Sequence, residues 1–202
     1  MLFLIRHGQT AANQAGLLQG RKDVPLNETG ISQAEAAAKR LRDAGIAFAK
    51  VYTSPLSRAV QTAKIVAPGA VCASDERLLE MDPGPYEGMS LANPAPEVIA
   101  FFEDFTHVPA PAGMETLESV VARMGEFLEE VREEAVSQDI LISTHAIAMK
   151  GALEYLIPES KGSFWSKFLP NCGIYAVEVG EKGFGVLRAW PEAAGERSLW
   201  GS

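Results

Sequence analysis

Apolar and polar positions along this chain follow two different periods, and the change from one to the other marks its elements. Short apolar runs closed by polar residues occur at Leu2-Phe3-Leu4-Ile5 and at Asp139-Ile140-Leu141-Ile142-Ser143. Runs of this kind predict strands buried on both faces. Lys50-Val51-Tyr52-Thr53 and Ala70-Val71-Cys72-Ala73 predict two more. Between them the spacing becomes helical. Asn27-Glu28-Thr29-Gly30 opens a stretch with Ile31, Ala34, Ala38 and Leu41 at helical intervals, ending near Gly45. Ser54-Pro55 predicts a helix with proline in its first turn, carrying Arg58, Thr62 and Ile65 and stopping before Pro68-Gly69. Leu117, Val120, Val121, Met124, Leu128 and Val131 predict a long amphipathic helix, and an apolar helix follows His145. Two last strands fit residues 174–179 and 184–189. Strands alternating with helices predict an α/β fold: three αβα layers around a mostly parallel central sheet. Residues 1–202 are expected to form one domain, and the tail after Pro191 carries no readable pattern.

Composition narrows the function classes. The 202 residues are 47% hydrophobic and 22% charged, an ordinary globular mix. The net charge of −8 argues against nucleic acid as an electrostatic partner, though a few converging arginines can still make a pocket for a small anion. No apolar run is long enough to span a membrane, and the apolar start runs straight into Arg6, unlike a signal peptide. Cys72 and Cys172 lie far apart and form no metal spacing; two buried thiols in a reducing cytoplasm are expected.

The chemistry concentrates at strand ends. Arg6-His7-Gly8 closes the first strand, Thr53-Ser54 leads to Arg58, and Thr144-His145 closes the strand after the long helix. In a parallel sheet such ends converge on one edge. Two arginines and two histidines meeting there suit phosphoryl transfer without a metal: guanidinium groups and a protonated imidazole stabilise charge on the equatorial oxygens while a neutral imidazole attacks in line. Helix N-termini after His7 and His145 add backbone N–H donors.

With these residues the chain resembles the histidine phosphatase superfamily, the phosphoglycerate mutase-like proteins. The match runs through Arg6-His7-Gly8-Gln9-Thr10, Asn13, Gln19-Gly20, Asp23, Pro25-Leu26, Gly30 and Gln33-Ala34. It continues through Tyr52 to Ala59, Gln61-Thr62-Ala63, Leu78, Glu80, Gly84, Glu87-Gly88 and Ser143-Thr144-His145. The resemblance implies a phosphoglycerate mutase-like fold and a metal-independent, cofactor-free phosphomonoesterase. His7 would be the nucleophile, forming a phosphohistidine. Arg6, Arg58 and His145 would hold the phosphoryl oxygens, Asn13 would add a neutral donor, and Gln19-Gly20 would line the pocket entrance. Glu80 would protonate the leaving alcohol and then activate water. Ala146 replaces the family's usual glycine after the second histidine but keeps its backbone N–H, and Tyr86 stands where tryptophan is common. Asp82 is a rival acid. An alkoxide leaves poorly, so an acid opposite the histidine is required in any case, and an activity optimum on the acid side of neutrality is expected.

The segment from Leu78 to Ala122, expected to form a lid, has no Lys or Arg but eight acidic residues. That pattern favours a phosphatase over a phosphoglycerate mutase-type enzyme, whose doubly anionic substrate would need extra cations. Arg21, Lys22, Lys161 and Lys167 are the cations that could be brought in. A non-catalytic phospho-ligand binding module is a third reading. Phe101, Phe102 and Phe105 are expected to pack a helix, and His107 to be solvated. The expected partner is a small phosphorylated substrate of neutral, apolar or cationic alcohol, with a homodimer as the assembly, if any.

Overall fold

The computed structural model describes residues 1–190. Six strands form one sheet: β1 (Leu2–Arg6), β2 (Lys50–Thr53), β3 (Val71–Ser74), β4 (Ile140–Thr144), β5 (Ile174–Gly180) and β6 (Gly183–Trp190). Their order is β3-β2-β4-β1-β5-β6. The first four in that order are parallel, and β5 and β6 add an antiparallel edge. The two continuous apolar runs are the two central strands.

Alternation along those strands divides the core into two layers. Leu2, Leu4, Ile140 and Ile142 pack against α5 (Leu117–Ser137) and α6 (Ala146–Leu156). Phe3, Ile5, Val51 and Leu141 face α2 (Glu28–Asp43) and α3 (Ser57–Val66) on the other side. The helices therefore flank the sheet in the expected αβα sandwich. Asn27 caps α2 through Gly30 N–H, an arrangement worth about 1 kcal/mol.

Three details differ from the reading of the sequence. The helix expected at Ser54-Pro55 begins only at Ser57, because Ser54 stays on the strand end and Asp23 caps the helix from outside, accepting from Ser57 N and Oγ at 2.7 Å. Cys172 is buried but Cys72 is exposed, because β3 is the outer strand of the sheet. The helix expected after His7 is the short α1 (Ala11–Gln14), and the one expected to be packed by Phe101, Phe102 and Phe105 is α4 (Pro96–Glu103), which follows 3-10 turns at Glu76–Leu78 and Gly84–Tyr86 and ends before Phe105. The tail from Pro191 lies outside the described residues, among which no helix is long and apolar enough to cross a membrane.

The register fixes where the chemistry sits. Arg6 pairs with Thr144 and Thr53 with Ser143, so the carboxyl ends of β1, β2 and β4 are level. His7, Ser54 and His145 each follow directly, at one edge of the sheet.

Candidate active site

A cavity of about 250 Å³ opens at that edge. Of the expected site residues, Arg6, His7, Asn13, Gln19, Glu80 and Ala146 form its wall. Arg58 and His145 lie directly behind, both fully buried. Gly20, expected at the entrance, is instead buried beneath it. Its Cα packs against Pro83, where a Cβ would come within 2.0 Å of the ring, and its carbonyl accepts from Arg58 Nη2 at 2.6 Å.

His7 is held in one tautomer. Its Nδ1 lies 2.7 Å from the Gly8 carbonyl, which can only accept, so Nδ1 carries the proton and Nε2 keeps its lone pair. Burial, with Arg58 and Arg6 adding to it, holds the imidazole pKa well below its ordinary 6.5, so the ring is neutral at neutral pH. The backbone beneath is fixed by His7 N to Thr144 O at 2.9 Å, Gly8 N to Thr62 Oγ1 at 3.1 Å and Asn171 Nδ2 to His7 O at 3.0 Å. Gly8 is required by close approach: a Cβ there would lie 2.4 Å from the Gly30 carbonyl.

His145 is held in the opposite sense. Arg58 Nε donates to its Nδ1 at 3.2 Å, so the proton is on Nε2, which donates to Ser54 Oγ at 2.7 Å. Burial, then the charge of Arg58, keeps this ring neutral as well, so the protonated imidazole expected beside the nucleophile is not found: both rings are neutral. The two imidazoles meet edge to face with centroids 5.1 Å apart. Arg58 is further fixed by Lys22 O at 2.9 Å. The Gln19 amide, with its oxygen turned to Arg58, accepts from Nε at 2.7 Å and donates to Thr10 Oγ1 at 2.6 Å. Arg6 Nη1 donates to the Leu169 carbonyl, while its buried Nε has no partner among the described residues. An orphaned guanidinium N–H beside His7 suits an anionic oxygen.

Glu80, only 6% exposed, sits against the start of α6. Its carboxylate accepts from Ile147 N at 3.1 and 3.2 Å, Ala148 N at 3.0 Å and its neighbour Met81 N at 2.9 Å. The Ala146 N–H has no protein acceptor among the described residues. Asp82, the rival acid, accepts from Gly84 N at 2.8 Å and is not on the wall.

The rest of the wall is apolar: Leu17, Leu18, Met81, Leu91, Phe102 and Ile147, with Pro83. Phe101 packs into the core as expected, whereas Phe102 faces the cavity. Seven of the segment's eight acids lie off the wall. Glu115 pairs with Arg21 and Arg123, Glu87 accepts from Gly20, Arg21 and Lys22 N–H groups, and Asp104 engages the exposed His107. Arg21, Lys22, Lys161 and Lys167 do not line the cavity either.

Ser54, read only as the strand end leading to Arg58, proves to hold His145, and two residues carried no sequence signal: Asn171 on His7, and Lys150. The last is on α6, donates to Trp165 O at 2.5 Å, and has its pKa pulled down to about 8 by burial. Among the described residues no three His, Cys, Asp or Glu converge as metal ligands.

Comparison with known proteins supplies an independent line. The sequence profile of the histidine phosphatase superfamily (branch 1) matches residues 2–191. Phosphoserine phosphatase 1 of Hydrogenobacter thermophilus is 29% identical over 186 residues, covering 90% of this chain and 87% of that protein. A probable phosphoglycerate mutase, GpmB, of Yersinia pestis is 31% identical, covering 89% and 85%. Among solved structures, a mutant phosphoserine phosphatase of Entamoeba histolytica in complex with phosphoserine superposes with a TM-score of 0.78 at 26% identity, covering 92% of this chain and 93% of that one.

Proposed function

Because the chain belongs to the histidine phosphatase superfamily, branch 1, we propose that it is a metal-independent phosphomonoesterase working through a phosphohistidine. The observation that carries this reading is the tautomer of His7: the Gly8 carbonyl takes its Nδ1 proton, leaving a neutral Nε2 lone pair on the cavity wall that Glu80 also lines.

The reaction follows in two steps. His7 Nε2 attacks phosphorus while the phosphorus–oxygen bond to the alcohol breaks, and a protonated Glu80 gives its proton to the departing oxygen. The now ionised Glu80 then takes a proton from water as the water oxygen attacks phosphorus. The nitrogen–phosphorus electron pair returns to His7, and inorganic phosphate leaves. Arg6, through its orphaned Nε, and the Ala146 N–H hold the phosphoryl oxygens; Arg58 supplies charge from behind and orients His145. Asn13 and Gln19 are neutral wall donors.

The alcohol is small and neutral or apolar. Beyond Arg6 and Glu80 the wall carries no charged side chain, so a second anionic group would lose its hydration without a partner. This favours hydrolysis over mutase-type transfer. It also argues that phosphoserine, bound by the Entamoeba histolytica relative, is a weaker substrate here than an ester of an uncharged alcohol. The two free cysteines fit a reducing compartment such as the cytoplasm.

The test is turnover of a phosphomonoester in the presence of a chelator, stopped in alkali and digested. The peptide containing His7 should carry one phosphoryl group, and the His7→Ala protein should neither be labelled nor turn over. Phosphate release by unlabelled enzyme, or restoration by added metal after chelation, would overturn the proposal.

A further inference from the structure

The chain from Arg77 to Asp82 is held by two arginines that one buried carboxylate joins. Glu115, whose side chain is 11% exposed, accepts from Arg123 Nε at 2.8 Å through Oε1. Its Oε2 accepts from Arg21 Nη2 and Arg123 Nη2, both at 3.2 Å, and from Asp82 N at 3.0 Å. Each arginine then reaches the backbone on either side of Glu80. Arg21 Nε donates to the Glu80 carbonyl at 2.8 Å. Arg123 Nη1 donates to the carbonyls of Arg77 at 2.5 Å and Leu79 at 2.7 Å. The one carbonyl between them, that of Leu78, accepts from Thr144 Oγ1 at 2.8 Å, next to His145. Four consecutive carbonyls are therefore bound, three of them by guanidinium groups that share Glu115.

We propose that Glu115 is a positioning residue for Glu80: by clamping Arg21 to Arg123 it fixes the backbone from which the Glu80 carboxylate reaches the cavity wall. This deepens the phosphatase reading and rests on Glu80 being the general acid. Removing the clamp frees two arginines and the Asp82 N–H, and lets the 79–82 backbone shift while the His7 end keeps its own bonds. Burial opposes ionisation of Glu115, but Arg123 together with the Asp82 N–H and Ser119 outweighs it and holds the carboxyl below the ordinary range, so the clamp is charged at neutral pH. The side chains of Glu115 and Arg21 make no hydrogen bond to Arg6, His7, Arg58 or His145 among the described residues, although the carbonyls on either side of Arg21 hold Arg58.

Leaving-group chemistry separates positioning from general structural support. A good leaving group needs no proton in the transition state, whereas an alkoxide does. Wild type, Glu115→Gln, Arg21→Gln and Glu80→Gln are compared by kcat/KM, which covers the steps up to release of the alcohol, on p-nitrophenyl phosphate and on benzyl phosphate. Full removal of an acid costs about 10²–10⁴-fold. Glu115→Gln should therefore lower the benzyl ester rate by roughly tenfold or more, yet change the nitrophenyl rate by no more than about threefold. Arg21→Gln should show the same selectivity, more weakly, and carries the test if Glu115→Gln has no cooperative melt. Equal losses on both esters in the folded variants would overturn the positioning role. Selective loss in Glu80→Gln alongside them would leave the phosphatase reading standing. Equal losses in Glu80→Gln itself would instead remove Glu80 as the acid.

Discussion

At one end of the cavity, Arg6 closes β1, His7 follows it, and His145 follows β4 just behind the wall; each is fixed by backbone groups or by another buried side chain. At the other end, Met81, Leu91 and Phe102 hang on turns and a short helix: the Met81 segment is anchored by the Glu115 ion pairs, and Leu91 by its N–H to the Gly16 carbonyl at 2.8 Å. The first region has a continuous sheet to define it; the second has Glu115 with two arginines and an isolated bridge between Leu17 and Ser90. The difference separates tasks. A phosphoryl group is the same in every ester, so its site can be rigid, while the alcohol varies and meets the part of the protein that is easiest to rebuild.

The comparison breaks if changes at the sheet end affect esters unequally. Arg58→Met should lower kcat/KM by about 10²–10³-fold on every phosphomonoester, because it removes charge at the transition state and the group that orients His145. A loss confined to one substrate would contradict that. Next in size is Gly30→Ala, whose Cβ would stand 2.1 Å from the Gln9 carbonyl. It should cost about 1–3 kcal/mol in a chemical melt and displace the β1 end with it, lowering activity on all esters alike. Phe102→Ala sharpens the contrast from the other side. Loss of its apolar contact should weaken kcat/KM for benzyl phosphate by about tenfold, or roughly 1.4 kcal/mol, and leave methyl phosphate unchanged.

A last effect concerns pH. His7 and His145 have folded pKa values held below that of the unfolded chain, 6.5, so the unfolded chain takes up protons first on acidification. Stability is full above pH 6.5 and falls below it, by at most about 1.4 kcal/mol per pH unit for each ring. Melts from pH 7.5 to 5.5 check this, and His145→Asn should shallow the slope. Over the same range kcat/KM for benzyl phosphate should not fall as an ordinary imidazole would dictate, because His7 remains neutral.

These two regions also differed in how far the sequence disclosed them. The sheet end was legible because apolar runs at Leu2–Ile5 and Ile140–Ile142 identify buried strands, and residues following such strands must share an edge. The cover was not. Glu115 and Arg21 are 94 positions apart, and no periodicity links them. The acid-rich composition of the segment suggested a negative lid, but Arg21 and Arg123 come in from outside it and draw Glu115 away from the cavity. Phe101 and Phe102 are adjacent in sequence yet face core and cavity respectively, a choice made by α4, whose proline-flanked eight residues gave too little pattern to read.

The position of β1 has a consequence for how the protein is made. Leu2 pairs with Ile140 on one side and Val177 on the other. On a ribosome adding ~5–20 residues per second, the strand that carries His7 waits roughly ten seconds or more for its neighbours. During that time a greasy segment near the amino terminus has no lasting place to dock, and the nascent chain is at its most vulnerable to self-association. Synthesis of a shortened chain lacking residues beyond β3 should consequently yield aggregate, and chaperone dependence should end only once β4 and β5 have emerged.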